Sequence, residues 1–279
     1  MSNRLLEENL PEVSKLLAAR LAERRQILRE QCQHKPPNLN FVEEADFSRF
    51  IVIEKLKLVF CYIPKISSTT WKQVLYQAEN NGTSLKGDSH RRDIFTWLQD
   101  YSTAERKKII DTYFKAIFVR EPFARLLSAY KHKMKGLGHE WFKKIDPSIP
   151  EEEIEKETFP LFVRRYILDF NHTQTNQHWR RYEQICPCEV NYDFIGHFEN
   201  LAEEAPQLLK MTGVDDYVTF PEYQPSKSSP FMLEYYAGLT REEILKLGHF
   251  YELDFKLFGY DFPGPLQDVL DMKATSEQG

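Results

Sequence analysis

Residues 58–75 read LVFCYIPKISSTTWKQVL, and this stretch decides the fold. Its first six residues are apolar and rich in strand-forming side chains, a pattern that predicts a buried strand. A turn with four consecutive hydroxyl side chains follows, and Trp71 then begins a helical pattern. The stretch therefore predicts a strand, a turn and a helix in direct succession.

Two later stretches repeat this order of elements. Residues 116–119 (AIFV) predict a second strand, Arg120-Glu121-Pro122 the turn, and residues 123–133 a helix with one apolar face. Residues 192–196 (YDFIG) predict a third strand, followed by a helix near residues 202–209. Strands that alternate with helices predict an α/β fold with a central parallel sheet flanked by helices. Ligands bind at the carboxyl ends of such strands, and the first two turns fall there.

The remaining sequence divides the chain into three parts. Residues 1–44 are predicted to contain a helical arm, either packed on the domain or part of a stalk, because leucines recur at helical spacing. The sequence around Pro36-Pro37 breaks this helix. We assign residues 45–264 to the α/β domain and residues 265–279 to a C-terminal tail.

Composition narrows the possible functions. The net charge of −5 argues against nonspecific nucleic-acid binding, which needs a basic excess. No run of about 18 apolar residues occurs, so we expect membrane attachment only through an anchor missing from this sequence. The spacing of the cysteines does not indicate a zinc site, and they are either buried thiols or form one or two disulfides. The four are Cys32, Cys61, Cys186 and Cys188.

The first turn has the chemistry of an anion-binding site. It places Lys65 and the hydroxyls of residues 67–70 at the amino end of a helix, where N–H groups and the helix dipole attract negative charge. The glycines of a Walker P-loop are missing. An ordinary Ser/Thr helix cap has the same hydroxyls, but the preceding strand and Lys65 favour an anion site. In the second turn, Arg120 can contact a phosphate through two N–H groups, and Ser128 follows about two helical turns later.

Together, residues 61–72 and 119–130 resemble the 5′-phosphosulfate loop and the 3′-phosphate element of Golgi carbohydrate sulfotransferases. The variant is similar to the branch that contains the chondroitin, dermatan and N-acetylgalactosamine 4-O-sulfotransferases and the glucuronyl 3-O-sulfotransferase. Residues 176–179, 192–196 and 251–260 add to the likeness, which covers about residues 45–262. The chain differs from that family in its Ser-Thr-Thr sequence before Trp71 and in the single residue between its last two cysteines.

The resemblance implies a P-loop-like sulfotransferase fold. It also implies the donor 3′-phosphoadenosine-5′-phosphosulfate (PAPS), the product PAP, no metal, and a disulfide between Cys32 and Cys188. Arg120 and Ser128 would hold the 3′-phosphate. Lys227 and Ser228 lie where the family carries a further basic loop over the nucleotide, although an ordinary surface loop has the same composition. The 5′-phosphosulfate would be held by Lys65, Ile66, Ser67, Ser68, Thr69 and Thr70.

Sulfuryl transfer needs a cation at the departing phosphate and a base at the acceptor hydroxyl. Lys65 is the predicted cation. His90 is the predicted base, because imidazole titrates near neutral pH and related glycan 2-O-sulfotransferases place a histidine after the same helix. His178 either serves as the base instead or orients sugar hydroxyls. Glu121 is a third candidate, which we expect mainly to position basic groups.

The expected acceptor is the 4-hydroxyl of N-acetylgalactosamine in an acidic glycan of the chondroitin or dermatan type. His178, Trp179 and Arg91 are the predicted acceptor contacts, and Trp179 either stacks on a sugar or packs in the core. Asn81 and Asn171 begin sequons that fit the expected location in the Golgi lumen. Other basic side chains line an acidic-glycan groove or lie on solvated helix faces, namely Arg92, Lys131, Lys133, Arg164, Arg165, Arg180 and Arg181.

Two other functions remain open at this point. A P-loop-type nucleotide phosphotransferase would use a similar anion site, but the missing Walker glycines argue against it. A non-catalytic glycan-binding protein could keep the same fold. Lys65, Arg120 and Ser128 argue against that reading, since a scaffold does not need them.

Overall fold

A computed structural model describes residues 12–35, 40–135, 143, 150–152, 158–168, 176–222 and 232–276 of the protein. Its strands are β1 Phe50–Ile53, β2 Leu58–Cys61, β3 Thr96–Trp97, β4 Phe114–Val119 and β5 Phe194–His197. They form one five-stranded sheet in the order β3-β1-β2-β4-β5.

Helices surround this sheet. Two of them continue into π-helical turns, α5 through Lys131–Lys135 and α6 through Arg164–Leu168. None of the described helices is both long enough and apolar enough to cross a membrane. The described helices are α1 Glu12–Gln33, α2 Phe41–Glu44, α3 Ser68–Glu79, α4 Thr103–Thr112, α5 Pro122–Tyr130, α6 Phe159–Val163, α7 Leu201–Thr212, α8 Met232–Ala237, α9 Arg241–Phe250, α10 Glu252–Phe258 and α11 Gln267–Ser276.

The three predicted strands form the parallel part of the sheet. β4 pairs in parallel with β2 on one side and with β5 on the other, which confirms the α/β prediction. The sequence pattern does not predict β1 and β3, which extend the sheet in antiparallel pairing beside β2. β1 and β2 form a hairpin, and Lys57 in its connection adopts a left-handed conformation with a φ of 48°. The sheet is therefore mixed rather than wholly parallel.

The parallel strands bring three loops to one edge of the sheet. α3 begins at Ser68 shortly after β2, α5 at Pro122 after β4, and α7 at Leu201 after β5. Because these strands are neighbours and run in the same direction, their carboxyl ends and the following loops lie side by side. The two turns predicted to bind a nucleotide are thus adjacent in space.

An aromatic core holds α3 against the sheet. The buried Trp71 ring lies 4.6 Å from the Phe118 ring and 5.0 Å from the Phe60 ring, measured between centroids. Gly196 on β5 leaves room for this packing, because a Cβ there would approach the Phe118 ring to 2.3 Å. The contacts fix the amino end of α3 relative to β2 and β4.

Both ends of the described chain pack on the domain. The leucine face of α1 is buried against the core, and Arg24 donates hydrogen bonds to the buried Glu204 carboxylate at 2.9 Å and to Ile195 O at 3.0 Å. Of the two expectations for the amino-terminal arm, the structure shows a packed one. The segment set apart as a C-terminal tail contains α11, whose Val269 and Leu270 are buried.

Two disulfides join distant segments. Cys32–Cys188 connects the end of α1 to the segment before β5, as expected from the resemblance. Cys61–Cys186, which the sequence does not predict, connects the last residue of β2 to that same segment. The described cysteines are therefore all oxidised, and the second bridge anchors the start of the loop that carries Lys65.

We expect the double variant Cys32→Ser/Cys188→Ser to lose about 2–5 kcal/mol in free energy of unfolding, because the bridge constrains a long loop of the unfolded chain. Urea denaturation followed by circular dichroism measures the loss. After complete reduction, the variant and the wild type should have the same stability. Alkylation and mass spectrometry should find no free thiol in unreduced protein from an oxidising medium, and four alkylated thiols would contradict both bridges.

Candidate active site

The loop between β2 and α3 leaves the amino end of the helix open to a ligand. Lys65 and Ser67 have φ angles of 76° and 50°, which are uncommon for residues with a Cβ and occur in anion-binding loops. Trp71 N donates the first helical hydrogen bond to Ser67 O at 2.9 Å, and the Ser67 side chain makes no capping bond. The N–H groups of residues 68–70 therefore precede the hydrogen-bonded part of the helix and are placed to bind an anion.

The side chains of this loop differ in their access to solvent. Lys65, Ser67, Ser68 and Thr70 are half-buried, and Thr69 is exposed. Ile66 is only 2% exposed and packs in the core. Any contribution of Ile66 to nucleotide binding must therefore come from its backbone.

Arg120 links the second turn to the first. Its Nη1 donates to Lys65 O across 3.4 Å, and its guanidinium carbon lies 4.4 Å from the centroid of the Phe198 ring. The backbone of Arg120 is held on both sides by the buried Tyr182 hydroxyl, which accepts from Arg120 N at 3.1 Å and donates to Arg120 O at 2.5 Å. The two turns are therefore in contact, as the strand pattern predicts.

Two further polar residues follow this arginine: Glu121 at the amino-terminal cap of α5, and Ser128 within α5. Ser128 is half-buried two turns into the helix. The Glu121 carboxylate caps the helix and accepts hydrogen bonds from Phe123 N at 3.0 Å and Ala124 N at 2.7 Å. Burial raises the pKa of Glu121 to about 7. Because both carboxylate oxygens accept bonds from helix amides, Glu121 orients the start of α5 and is poorly placed to act as the base.

His90 lies beside the amino end of α3. Its Nε2 is 3.5 Å from Thr69 Oγ1, and its backbone N–H donates to Asp88 Oδ1 at 2.8 Å. Burial lowers the pKa of His90, as do the charges of Lys72 and Lys133, while Asp88 opposes them. His90 is therefore mainly neutral near pH 7 and able to accept a proton.

Five basic side chains converge at this edge, and we call them the basic cluster: Lys65, His90, His132, Lys133 and His178. Burial lowers the pKa of Lys65 to about 8, with help from the positive charges of Lys133 and Arg120. Burial also lowers the pKa of His132, as do Lys65, Lys133 and His90. The repulsion of Lys65 by Lys133 and Arg120 favours a bound anion that neutralises these charges.

His132 is the member of the basic cluster that the sequence reasoning missed. It lies four residues after Ser128, in the π-helical turn that extends α5. That spacing places both residues on one face of a continuous helix, so it was a usable signal. Lys133 was considered only as a possible groove residue, yet its charge acts on Lys65 and on all three histidines of the cluster.

The structure bears on three of the residues predicted on the acceptor side. Trp179 is 1% exposed and packs edge-on against Phe162, with the ring centroids 5.1 Å apart, so stacking on a sugar is contradicted and the core alternative holds. Arg164 is held by Glu243 at 2.5 Å and lies on a solvated face. Arg91 is exposed and forms an ion pair with Asp93.

Some predicted residues lie outside the described part of the chain. Lys227 and Ser228, of the further basic loop, belong to residues 223–231. The sequon at Asn171 also lies outside the described residues.

The sulfotransferase family model matches residues 48–261, from just before β1 to just after α10. This chain belongs to the sulfotransferase family. The matched region contains the whole sheet, both nucleotide turns and every member of the basic cluster.

Curated relatives narrow the comparison. Carbohydrate sulfotransferase 10 of Gallus gallus is 33% identical over 270 residues, which cover 86% of this chain and 75% of the relative. The Homo sapiens protein of the same name is also 33% identical, with 76% of its length covered. Carbohydrate sulfotransferase 11 of Rattus norvegicus is 30% identical over 247 residues, covering 80% of this chain and 70% of the relative. No solved structure matches the chain.

For this sulfotransferase we expect Arg120→Ala to weaken PAP binding about 10- to 150-fold, because a hydrogen bond to a charged group contributes about 1.5–3 kcal/mol. Isothermal titration calorimetry measures the change, and circular dichroism confirms that the variant is folded. Ser128→Ala should show a smaller loss. Arg164→Ala is the matched control and should bind PAP like the wild type. Unchanged affinity in folded Arg120→Ala would remove this residue from the site.

Proposed function

We propose that this sulfotransferase transfers the sulfuryl group of PAPS to a hydroxyl of a glycan by in-line displacement. The proposal rests on the contact between the two turns, in which the Arg120 guanidinium donates to the backbone carbonyl of Lys65. A 3′-phosphate at one turn and a 5′-phosphosulfate at the other would then belong to one nucleotide. The relatives named carbohydrate sulfotransferase 10 and 11 support a carbohydrate acceptor.

In this scheme, the residues of the β2–α3 loop bind the 5′-phosphosulfate through the amides of residues 68–70 and the hydroxyls of residues 67–70. Arg120 and Ser128 bind the 3′-phosphate. Lys227 and Ser228 remain proposed as a further nucleotide contact. The anion lies where the helix dipole and the basic cluster both favour negative charge.

The reaction follows from this placement. The acceptor oxygen forms a bond to sulfur while the bond from sulfur to the bridging phosphate oxygen breaks, and PAP leaves with the electron pair. Lys65 stabilises the negative charge that develops on the leaving oxygen. The bound anion also favours the protonated form of Lys65, whose pKa in the free site is lowered to about 8 by burial.

His90 is the proposed base that takes the proton of the acceptor hydroxyl. It is exposed beside Thr69 at the mouth of the anion site, and it is mainly neutral near pH 7. His178 is a much poorer base, because burial and neighbouring cations lower its pKa to about 2. We therefore assign proton transfer to His90 and a binding role to His178.

The proposed acceptor is an acidic glycan that contains N-acetylgalactosamine, of the chondroitin or dermatan type, modified at its 4-hydroxyl. Lys133 supports an acidic acceptor, since its positive charge acts on His90, and the exposed Arg91 remains a proposed acceptor contact. The proposed location is the Golgi lumen. Two disulfides support it, because such bonds persist in oxidising compartments.

The deciding experiment measures transfer of labelled sulfate from PAPS to a panel of acceptors: desulfated chondroitin, desulfated dermatan, heparosan and a terminal N-acetylgalactosamine glycan. We expect transfer to the chondroitin or dermatan acceptors. Transfer only to heparosan would contradict the proposed acceptor but would still support the proposed sulfuryl transfer. The position of the new sulfate ester follows from disaccharide analysis.

Thermal shift measurements separate the alternative functions. PAP should raise the melting temperature without magnesium, by more than ATP does. Stabilisation by ATP that requires magnesium would indicate a phosphotransferase. Stabilisation by PAP or by the glycan without any sulfate transfer would indicate a binding protein that keeps the fold.

A further inference from the structure

The turn at residues 176–180 holds His178 in one orientation. Asn176 Oδ1 accepts hydrogen bonds from the His178 backbone N–H at 3.0 Å and from His178 Nδ1 at 2.8 Å. A backbone N–H can only donate, so the Asn176 atom that faces it must be the amide oxygen. The same oxygen cannot donate to Nδ1, and Nδ1 must therefore carry the ring proton.

This tautomer leaves Nε2 of His178 with an unprotonated lone pair. Burial opposes protonation of the ring, and the positive charges of Lys133, Lys65, Arg125 and His132 add to this effect. His178 is thus an uncharged hydrogen-bond acceptor within a group of cations. Sugar hydroxyls, which are neutral donors, are the natural partners of such a nitrogen.

Arg125 fixes the position of this turn relative to the nucleotide loop. Its side chain is buried to 1% exposure, and its Nη1 and Nη2 donate to Arg180 O at 2.8 Å and Gln177 O at 3.1 Å. Its Nε donates to Pro64 O, immediately before Lys65, across 3.4 Å. The Arg125 guanidinium therefore links the turn that carries His178 to the loop that carries Lys65. It does so through the carbonyls of residues 177 and 180 on one side and of Pro64 on the other.

The environment of Arg125 makes this a rigid connection. Its guanidinium lies 4.6 Å from the centroid of the Tyr182 ring. The buried Asp254 carboxylate, which accepts from Tyr182 N at 2.8 Å, interacts electrostatically with the same guanidinium. Lysine cannot replace this arrangement, because an ammonium lacks the planar fork that reaches three carbonyls.

We propose that Asn176 and Arg125 are positioning residues that hold His178 with an unprotonated Nε2 toward the transfer site, where it accepts a hydrogen bond from a hydroxyl of the acceptor sugar. This inference rests on the proposed function, because the sugar hydroxyl belongs to the glycan acceptor. His178 then orients the acceptor, while His90 removes its proton.

Substitutions at His178 distinguish an orienting residue from a base. Glutamine places a carbonyl oxygen near the position of Nε2 but cannot take up a proton at neutral pH. We expect His178→Ala to lose roughly 10-fold in kcat/KM for the acceptor, and His178→Gln to recover part of that loss because it restores an accepting oxygen. PAP affinity by calorimetry should be unchanged in both. Equal and large losses of kcat in His178→Gln and His178→Ala would overturn the orienting role.

Substitutions at Asn176 test the tautomer by spectroscopy and the positioning role by the acceptor KM. Nitrogen-15 NMR of the histidine rings distinguishes protonated from unprotonated nitrogens, with His178→Gln used to assign the signal. Wild type and Asn176→Asp should show a protonated Nδ1 and a bare Nε2, because aspartate keeps the accepting oxygen. Asn176→Ala should show a mixture of tautomers and a raised acceptor KM. A protonated Nε2 in the wild type would overturn the proposal.

Arg125→Lys completes the test. We expect it to raise acceptor KM about 10-fold, with a smaller effect on PAP affinity, since two of its three carbonyl contacts lie in the His178 turn. A wild type that binds PAP but transfers no sulfate would defeat the proposed function, and the NMR result would still decide the tautomer. If Arg125→Lys fails to fold, the Asn176 and His178 variants decide the outcome alone.

Discussion

Replacing Lys65 with alanine should lower kcat by roughly 10²–10³-fold, the usual cost of losing a group that stabilises developing negative charge. Lys65 lies in the β2–α3 loop, and Arg120 on the other nucleotide turn contacts its backbone. PAPS affinity should also fall, because the ammonium meets the bound anion before the reaction begins. Steady-state kinetics with saturating glycan, combined with PAP titration, separate the two losses.

The pH dependence gives a second test of Lys65. The cation is present below its pKa, so kcat/KM for PAPS should fall as the pH rises through about 8. Lys65→Arg should keep a cation and shift this basic limb upward, since a guanidinium does not titrate in this range. Lys72 is the matched control, because burial lowers its pKa to about 8 as well. A basic limb that moves in Lys72→Arg and stays in Lys65→Arg would contradict the assignment.

Replacing His90 with alanine should lower kcat by roughly 10²–10⁴-fold and leave PAP affinity near the wild-type value. A base acts only on the acceptor hydroxyl in the transition state, so its loss does not weaken binding of the nucleotide. The wild-type activity should fall at low pH as His90 becomes protonated. This fall should lie below pH 6.5, the ordinary imidazole pKa, because burial and Lys72 lower the pKa of His90. This acid limb should be absent from the residual activity of His90→Ala.

His132 provides the control for this assignment. Its pKa is also lowered, by burial and by Lys65, and it neighbours His90 in the basic cluster. His132→Ala should keep the acid limb. If the limb disappears in His132→Ala and persists in His90→Ala, then His132 is the base.

The elements that carry the proposed nucleotide site were predictable from residues 58–75 and 116–133. Each stretch combines a short apolar strand with a polar turn and an amphipathic helix, and parallel pairing then requires both turns to meet at one edge. The contact between Arg120 and Lys65 O follows from that topology. The antiparallel strands β1 and β3 were missed because they lie outside the strand–turn–helix units: β1 leads into a short 3-10 turn of a hairpin, and β3 has only two residues.

The acceptor side was less predictable. The sequence around Trp179 fits a sugar-stacking residue and a core residue equally well. Only the tertiary structure shows that Trp179 is buried among other aromatic rings. Cys61 gives no local sign that its partner is Cys186 rather than one of the other cysteines. Pairings of this kind depend on the route of the chain between the two residues, which local pattern does not encode.

The sequence by itself determined the α/β order and the strand–turn–helix units that carry the proposed anion site, because these properties depend on neighbours within about a dozen positions. Only the tertiary structure brought His132 and Lys133 to Lys65, set the tautomer of His178 through Asn176, and joined two loops through Arg125. The physical reason is that charge interactions, burial and hydrogen bonds act through space. They shift the pKa values and fix the orientations of side chains whose partners lie far away in the chain, 61 positions in the case of Arg125 and Pro64.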